Sequence, residues 1–279
     1  MARGMSIHIG LNAVDPTQYE GWHGELGACE NDANDMADIA KSEKIQEKLL
    51  LTNDATRAEV IQVIRDAAAV LNPGDFLMVS YSGHGGQVPD LDDEEPDGMD
   101  ETWCLYDGQL LDDELAACWA VFKAGVRILV FSDSCHSGSV VRAMAYRALE
   151  STGALRAVLD LDGQSVARFR EMPRNVAMRT YRAHRSFYDG LQAKVKEHVV
   201  SASVLLISGC QDNQLSQDGA FNGAFTGSLL RVWKHGTFQG GYREFHRSIV
   251  MTMPPTQVPN YFWIGAPNPE FEAQRPFTV

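Results

Sequence analysis

Cysteine is scarce in this sequence, and its cysteines do not come in closely spaced pairs. The 279 residues contain five cysteines, an odd number, and no C-x-x-C pair. A disulfide framework has an even and denser set, and a structural zinc site needs closely spaced thiols. Neither is therefore expected, and a chain of this length can bury enough apolar surface to fold without such links.

Long apolar runs and an excess of positive charge are also absent. No stretch approaches the roughly 18–20 apolar residues of a membrane-spanning helix, and no signal-peptide core precedes the strand-like segment that starts near Ser6. Lys and Arg number 24 against 37 Asp and Glu, for a formal charge of −13. This balance disfavours a general nucleic-acid binder or a binder of anionic membranes. We expect a cytoplasmic protein with a cationic partner or a basic substrate.

Strand-like and helix-like segments alternate along most of the chain. Apolar runs predict strands at 7–14, 48–51, 76–81, 126–131 and 204–208. A 3.6-residue period predicts helices at 30–42, 56–71, 112–123, 221–233 and 242–253. A last run at 258–264 would close the sheet at an edge, where Pro259 is tolerated. The alternation predicts an α/β fold whose mainly parallel sheet has helices on both faces.

Two highly charged segments interrupt this alternation. Residues 87–101 include eight acidic residues, which predicts a loop too acidic to pack. Residues 142–196 hold 11 of the 24 basic residues and have weak periodicity. We interpret them as a helical or partly mobile insertion between the fourth and fifth strands, with a plain solvated face as the alternative.

Two predicted strands end in glycine-flanked reactive residues. One continues into Ser82-Gly-His84-Gly-Gly, the other into Asp133-Ser-Cys135-His136-Ser-Gly. Because the carboxyl ends of parallel strands meet at one edge of a sheet, His84 and Cys135 should lie together there. A thiol beside an imidazole is the minimum for nucleophilic catalysis. A buried inert cysteine and an ordinary polar histidine are the alternatives.

These two segments resemble the signature segments of the metacaspases, which are caspase-like cysteine peptidases. His84 and Cys135 stand 51 positions apart, in agreement with the spacing of about 50 residues for caspases. Segments 26–33, 97–101, 111–114 and 206–213 are also similar to family segments, and 143–200 matches least.

The resemblance implies a caspase-like three-layer α/β/α sandwich with a mainly parallel central sheet. It would be a single domain, 1–279, with three consecutive parts. These are a large part at about 1–142 that bears His84 and Cys135, a basic insertion at about 143–200, and a small C-terminal part at about 201–279.

The resemblance also implies a cysteine endopeptidase. Cys135 would attack the scissile carbonyl, and His84 would move the protons of the thiol and the leaving amine. The backbone N–H groups of Gly85 and Cys135 would form the oxyanion hole. His136 competes for the role of base, but the side chains of adjacent residues diverge, which favours His84.

Substrate preference and metal binding follow from the same resemblance. Asp32 and Asp133 match the acidic S1 residues that select Arg or Lys, because a buried basic side chain needs a carboxylate partner. Read alone, the two aspartates could instead be a helix N-terminal charge and a turn former. A calcium site would use three aspartates, which are Asp100, Asp112 and Asp113.

Calcium dependence is not expected, because Arg142 stands where calcium-dependent relatives carry Asp. We expect no required cofactor, protein or peptide substrates that contain Arg or Lys, no nucleic acid, no membrane, and a monomer. The basic insertion offers internal cleavage sites, which suggests a zymogen that processes itself.

Two other functions remain open. A cysteine phosphatase loop needs five residues between Cys and Arg, and six separate Cys135 from Arg142. A catalytically silent module could use the same cleft to bind basic peptides without cutting them.

Overall fold

Two sheets form the framework of the structure. The computed structural model describes residues 2–89, 99–134, 169–193, 199–209, 218–219, 221–254 and 257–279. The strands are β1 (Gly4–Gly10), β2 (Gln46–Leu51), β3 (Phe76–Ser82), β4 (Gly85–Pro89), β5 (Met99–Leu105), β6 (Gly108–Leu111), β7 (Arg127–Asp133), β8 (Ser203–Ser208) and β9 (Asn260–Gly265). The described helices are α1 (Cys29–Ser42), α2 (Arg57–Val70), α3 (Asp112–Ala120), α4 (Arg174–Ala183), α5 (Arg185–Gln192), α6 (Ala224–Trp233), α7 (Tyr242–Thr252) and α8 (Pro269–Ala273).

The larger sheet has six strands in the order β2-β1-β3-β7-β8-β9. Neighbours are parallel except at β9, which pairs antiparallel with β8 at the edge. The register places Gly10 beside Ser82 and Ser82 beside Asp133, so β1, β3 and β7 end at the same level. The predicted parallel sheet and its closing edge strand are confirmed.

Side chains of the central strand β3 alternate between two hydrophobic cores. Leu77, Val79 and Tyr81 point into a core that includes residues of α2 and α3. Phe76 and Met78 point into a second core, which α1, α6 and α7 cover. Since all seven residues of β3 are buried, its sequence is apolar nearly throughout, as expected for a strand covered on both faces. The three-layer α/β/α sandwich is confirmed.

A second, three-stranded antiparallel sheet corrects the prediction for 87–101. Strands β4, β5 and β6 pair in that order, and Gln87 pairs with Glu101. Asp100 is buried, and its Oδ2 accepts a hydrogen bond of 2.6 Å from Nε2 of Gln192. The Gln192 amide thus supplies the hydrogen-bond donor that water would supply to an exposed carboxylate. The acidic composition of the segment gives no sign of this distant partner. Residues 90–98 lie outside the described residues.

The described helices match the predicted ones closely. Helix α2 begins after Thr56, whose Oγ1 accepts a hydrogen bond of 3.3 Å from the Glu59 backbone N–H, as the predicted cap requires. Helices α4 and α5 confirm a helical basic insertion over 174–192, while 135–168 and 194–198 lie outside the described residues. No helix in the described ranges is long and apolar enough to cross a membrane.

Candidate active site

The structure gathers most of the predicted site residues at one edge of the large sheet. His84 follows β3, Asp133 is the last residue of β7, and Asp32 lies in the first turn of α1. The sharp exit from β3 depends on Gly83, because a Cβ there would come within 2.6 Å of the Tyr81 hydroxyl. The Tyr81 hydroxyl donates to the carbonyl oxygen of His84 at 2.7 Å. Cys135, His136 and Arg142 lie outside the described residues.

The His84 ring is buried beside the backbone of Gly24 and the ring of Trp22. Its Nε2 lies 3.1 Å from the carbonyl oxygen of Gly24, and its ring centroid lies 4.7 Å from that of Trp22. Nδ1 is buried and has no hydrogen-bond partner among the described residues. Burial lowers the pKa of His84 to about 3; the backbones of Gly24 and Glu171 oppose this shift, and the charge of Arg170 reinforces it. The imidazole is therefore neutral at physiological pH.

Asp32 and Asp133, the two predicted S1 residues, are both buried and lie around one acidic pocket. Asp32 Oδ2 accepts a hydrogen bond of 2.8 Å from Ser82 Oγ, and Asp32 Oδ1 accepts one of 3.1 Å from the Gly223 N–H. Asp133 Oδ2 accepts from both the backbone N–H and the hydroxyl of Thr226, at 3.1 and 2.8 Å. These bonds orient both carboxylates. Burial raises the pKa of Asp32 to about 6, and the neighbouring charge of Arg170 opposes the rise.

The pocket contains an arginine of the same chain, Arg170, which the sequence patterns did not single out. Its guanidinium lies 2.6 Å from an oxygen of Asp32, 3.0 Å from one of Asp133 and 3.0 Å from one of Asp218. Although its burial acts in the opposite direction, the carboxylates, with Asp133 foremost, raise the pKa of Arg170 well above its usual value. Arg170 therefore carries a fixed positive charge in the pocket.

Asp218 is a further pocket residue that sequence reasoning missed. Its Oδ2 accepts a hydrogen bond of 2.7 Å from the Gly27 N–H, which leaves Oδ1 to contact Arg170. Asp218 belongs to none of the motifs, and its only signal was its position shortly after the family-like segment 206–213.

The backbone of Arg170 contacts the predicted oxyanion hole. The Gly85 N–H donates to the carbonyl oxygen of Arg170 at 2.9 Å, and the Met172 N–H donates to the carbonyl oxygen of Gly85 at 2.8 Å. The segment thus pairs with Gly85, the residue that follows His84, as a short parallel bridge at Glu171. The Gly85 N–H, which was predicted to bind an oxyanion, therefore donates its hydrogen bond to the carbonyl oxygen of Arg170.

The structure does not bring the three predicted calcium ligands together. Asp112 and Asp113 open α3 beside an apolar cavity of about 250 Å³, whereas Asp100 does not line that cavity and contacts Gln192. Within the described ranges, no three acidic, histidine or cysteine side chains form a group that could hold a metal ion. The donor set therefore does not fit calcium by itself.

A six-stranded, mainly parallel sheet between two helical layers, with a histidine at the end of a central strand, defines the caspase-like class of α/β proteins. The profile of the Caspase domain family of peptidases (C14) matches residues 13–275, and the chain belongs to this family. The resemblance to metacaspases stated from the motifs is thereby confirmed.

Similar proteins agree with this assignment. Metacaspase-1 of Schizosaccharomyces pombe is 29% identical over 298 residues, which cover 91% of this chain and 65% of that protein. Metacaspase-1 of Pyricularia oryzae is 30% identical over 248 residues, which cover 80% of this chain and 61% of that protein. The chain thus spans less than two thirds of these relatives.

Two solved structures are also similar. Protein GSU0716 of Geobacter sulfurreducens has a TM-score of 0.89 at 57% identity, over 99% of each chain. Caspase-1 of Spodoptera frugiperda has a TM-score of 0.57 at 13% identity, over 94% of this chain and 86% of that one, which shows a shared fold.

Proposed function

We propose that this protein is a cysteine endopeptidase that hydrolyses peptide bonds after Arg or Lys. The observation that carries the proposal is the arginine side chain held by Asp32 and Asp133 beside His84. A planar guanidinium binds carboxylates most strongly through two parallel N–H···O hydrogen bonds, and burial strengthens the electrostatic attraction between the two groups. A P1 aspartate in this pocket would face two further carboxylates, and the repulsion would exclude it.

His84 supplies the proton transfers in this proposal. A neutral imidazole can accept a proton from a thiol, and Nδ1 of His84 has no other hydrogen-bond partner among the described residues. The base of the dyad would thus be free to serve Cys135. In this proposal the acidic pocket binds the P1 side chain, and His84 serves the reacting groups.

Gly85 supplies one donor of the oxyanion hole. Its N–H lies 2.9 Å from the Arg170 carbonyl oxygen, a length suited to a developing negative charge. Removal of one such donor in other enzymes costs about 10²–10³ in kcat. The Cys135 sulfur would then bond to the carbonyl carbon while the C–N bond breaks and the leaving amine takes the thiol proton through His84. Water would hydrolyse the thioester to a carboxylate and the free thiol.

The amino-acid composition supports proposals about the charge of the substrate and the compartment in which the protein acts. The negative formal charge suits substrates with basic residues, and the small number of cysteines, with no C-x-x-C pair, suits a reducing compartment such as the cytoplasm. We extend the proposal to a monomer that needs no cofactor and is made as a zymogen.

The first experiment compares fluorogenic peptides that differ only in a P1 Arg, Lys or Asp. We expect wild-type protein to hydrolyse the Arg and Lys peptides, and Cys135→Ala to hydrolyse none. Asp133→Asn should lose most of the activity on Arg peptides. Cleavage of the Asp peptide instead would overturn the pocket assignment.

A binding assay with the same Arg peptide tests the alternative that the chain is a catalytically silent module that binds basic peptides. If no peptide is hydrolysed in any state of the protein while the Arg peptide binds, the chain is a binding module and the peptidase proposal is wrong.

A further inference from the structure

Helix α6 begins beside the acidic pocket, and groups around its first turn donate hydrogen bonds to both pocket carboxylates. The donors belong to Asn222, Gly223 and Thr226. They bind Asp32 of α1 and Asp133 of β7. We propose that Asn222 and Thr226 are positioning residues, which hold these carboxylates in the orientation and charge state that a basic P1 side chain requires. This inference rests on the proposed peptidase function and names the part of the chain that prepares its specificity pocket.

Thr226 binds one oxygen of Asp133 with two donors. Its backbone N–H donates to Asp133 Oδ2 at 3.1 Å, and its hydroxyl donates to the same atom at 2.8 Å. Both residues are almost fully buried, so bulk water has little access to this contact. A hydrogen bond to a charged group is stronger than one between neutral groups, and a buried acceptor that loses its donor bears the cost of its desolvation. Loss of the Thr226 hydroxyl should therefore leave Asp133 less firmly held.

Asp133 takes the place of a side-chain cap at the start of α6. The N-cap residue of this helix is Gly223, which has no side chain to accept from the third helical N–H. An N-cap Ser, Thr, Asp or Asn ordinarily accepts that hydrogen bond. Here the third helical residue is Thr226, and its N–H donates to Asp133 instead. The partial positive charge of the helix N-terminus thus acts on a carboxylate of the pocket.

Asn222 holds the second carboxylate. Its Nδ2 donates to Asp32 Oδ1 at 2.9 Å and to Asp35 Oδ2 at 2.7 Å. Since an amide nitrogen carries two hydrogens and ionised carboxylates only accept, one orientation of the amide makes both bonds. The Gly223 N–H lies 3.1 Å from Oδ1 and 3.3 Å from Oδ2 of Asp32 and adds a backbone donor. Asn222 therefore fixes Asp32 relative to the start of α6.

The α6 donors do not displace a cation from the carboxylates. The Arg170 guanidinium lies 3.0 Å from Asp133 Oδ2 and 2.6 Å from Asp32 Oδ2 while those donors are in place. An ionised carboxylate has about four lone-pair sites, which is enough for both sets of donors. A basic P1 side chain would therefore meet carboxylates that are already oriented, and less entropy would be lost on binding.

Asn222 also affects the pH range in which the pocket is charged. Burial raises the pKa of Asp32 to about 6, the charge of Arg170 opposes the rise, and the Asn222 hydrogen bond opposes it further. The other titratable groups that face Asp32 or its partners are Cys29, Asp35, Asp133 and Asp218. Without the Asn222 amide the pKa of Asp32 should rise further, so weak binding of a basic side chain should begin at a higher pH.

The first test compares Thr226→Val, which keeps the shape of threonine without its hydroxyl, with Thr226→Ser, which keeps the hydroxyl. We expect kcat/KM for Arg and Lys peptides to fall about tenfold in Thr226→Val, through KM rather than kcat, and to stay near the wild-type value in Thr226→Ser. Ser228→Ala is the matched control, because Ser228 is also buried in α6 but its Oγ accepts from Arg231. It should leave KM unchanged.

The second test measures KM for the Arg peptide from pH 6 to pH 8 in Asn222→Ala. The ratio of KM at pH 6 to KM at pH 8 should exceed the wild-type ratio about threefold, because a lost donor favours the protonated form of Asp32. Titrations that are common to both proteins cancel in this comparison. Asn34→Ala, which removes an exposed amide of α1 that donates to the Glu30 carbonyl, should keep the wild-type ratio.

Arg170 contacts the same oxygens as a substrate would, so each variant is also made in an Arg170→Gln background, where position 170 carries no guanidinium. Binding of a labelled Arg peptide in Cys135→Ala gives a readout without catalysis, and the Kd should change as KM does. If Arg170→Gln does not fold, hydrogen exchange replaces it. The Met172 N–H, which makes a hydrogen bond of 2.8 Å in the same segment, should exchange faster in Thr226→Val than in the wild type.

The outcomes separate the two proposals. If Arg and Lys peptides are hydrolysed with wild-type KM by both Thr226→Val and Asn222→Ala in either background, the positioning role is wrong and the peptidase proposal stands. Equal losses in Thr226→Val, Thr226→Ser and Ser228→Ala would also overturn it, because they would reflect packing rather than a donor. If Arg peptides bind and none is hydrolysed, the peptidase proposal fails, and the Kd values alone decide whether Thr226 and Asn222 hold the pocket.

Discussion

At the scale of single residues, the pocket depends on how closely its walls approach the guanidinium. Gly223 forms one wall: its N–H donates to Asp32, and a Cβ built at this position would lie 2.6 Å from the Arg170 guanidinium carbon and from both terminal nitrogens. The absence of a side chain at Gly223 is therefore what leaves room for an arginine. Sequence alone gave no reason to single out this glycine.

Gly223→Ala should impair use of Arg substrates. The residue has φ −60° and ψ 156°, which alanine adopts without strain, so the added methyl acts mainly on the pocket. Overpacking costs about 1–3 kcal/mol, which corresponds to a kcat/KM for Arg peptides that is roughly five- to 150-fold lower.

Gly227→Ala is the matched control, because a Cβ there would lie 3.5 Å from its nearest neighbour. It should leave kcat/KM unchanged and, within helix α6, raise stability slightly. Equal activity of both variants would show that the pocket does not have the tight fit described.

His8 makes stability depend on pH. It is fully buried in β1, its Nδ1 lies 2.8 Å from Ser80 Oγ, and Nε2 has no partner among the described residues. Burial, with a smaller effect of Lys41, lowers the pKa of His8 from 6.5 to about 3. Below pH 6.5 the unfolded chain binds a proton that the folded chain does not, so stability falls as the pH decreases towards 3.

Urea unfolding at pH 7 and pH 5 tests this. When the pH is lowered from 7 to 5, the free energy of unfolding should fall by about 2 kcal/mol more in the wild type than in His8→Gln. Other buried groups, His84 and Asp32 included, are common to both proteins and cancel in the comparison. Identical pH dependence in the two proteins would contradict the lowered pKa.

At the scale of secondary-structure elements, local patterns predicted the central elements well because each of these elements carries its own signal. Helix α2 combines a cap at Thr56 with an apolar period, and β3 is apolar nearly throughout because both its faces are covered. The small antiparallel sheet was missed because its middle strand, β5, begins within an acidic stretch, and Asp100 is satisfied by Gln192, 92 positions away.

Thr56→Ala should destabilise the protein by about 1 kcal/mol, because the Glu59 N–H loses its acceptor at the start of α2. Thr56→Ser, which keeps the hydroxyl, should retain most of the stability. Urea unfolding of the three proteins at one pH measures both differences. An equal loss in the serine variant would show that the threonine methyl, and not the cap, matters.

At the scale of the whole molecule, three distant parts of the chain meet around one guanidinium. Helix α1 supplies Asp32, strand β7 supplies Asp133, and the C-terminal part supplies Asp218, while the insertion supplies Arg170.

Calcium should not be needed for this assembly. Asp100, Asp112 and Asp113 do not form a group of three ligands in the described part of the chain, so we expect the same Tm and the same hydrolysis of Arg peptides in excess calcium and in chelator. A rise of Tm with calcium that Asp112→Asn abolishes would show that these carboxylates bind the ion after all.

The sequence by itself determined the alternation of strands and helices and the level at which β3 and β7 end. Periodicity and motif spacing are local, so they can be read without knowledge of distant contacts. Only the tertiary structure decided which of the many arginines of the insertion meets the pocket, because Arg170 lies 138 positions from Asp32. Composition showed that the insertion is basic, but the packing of 169–172 against Gly85 places one of its guanidinium groups in the pocket.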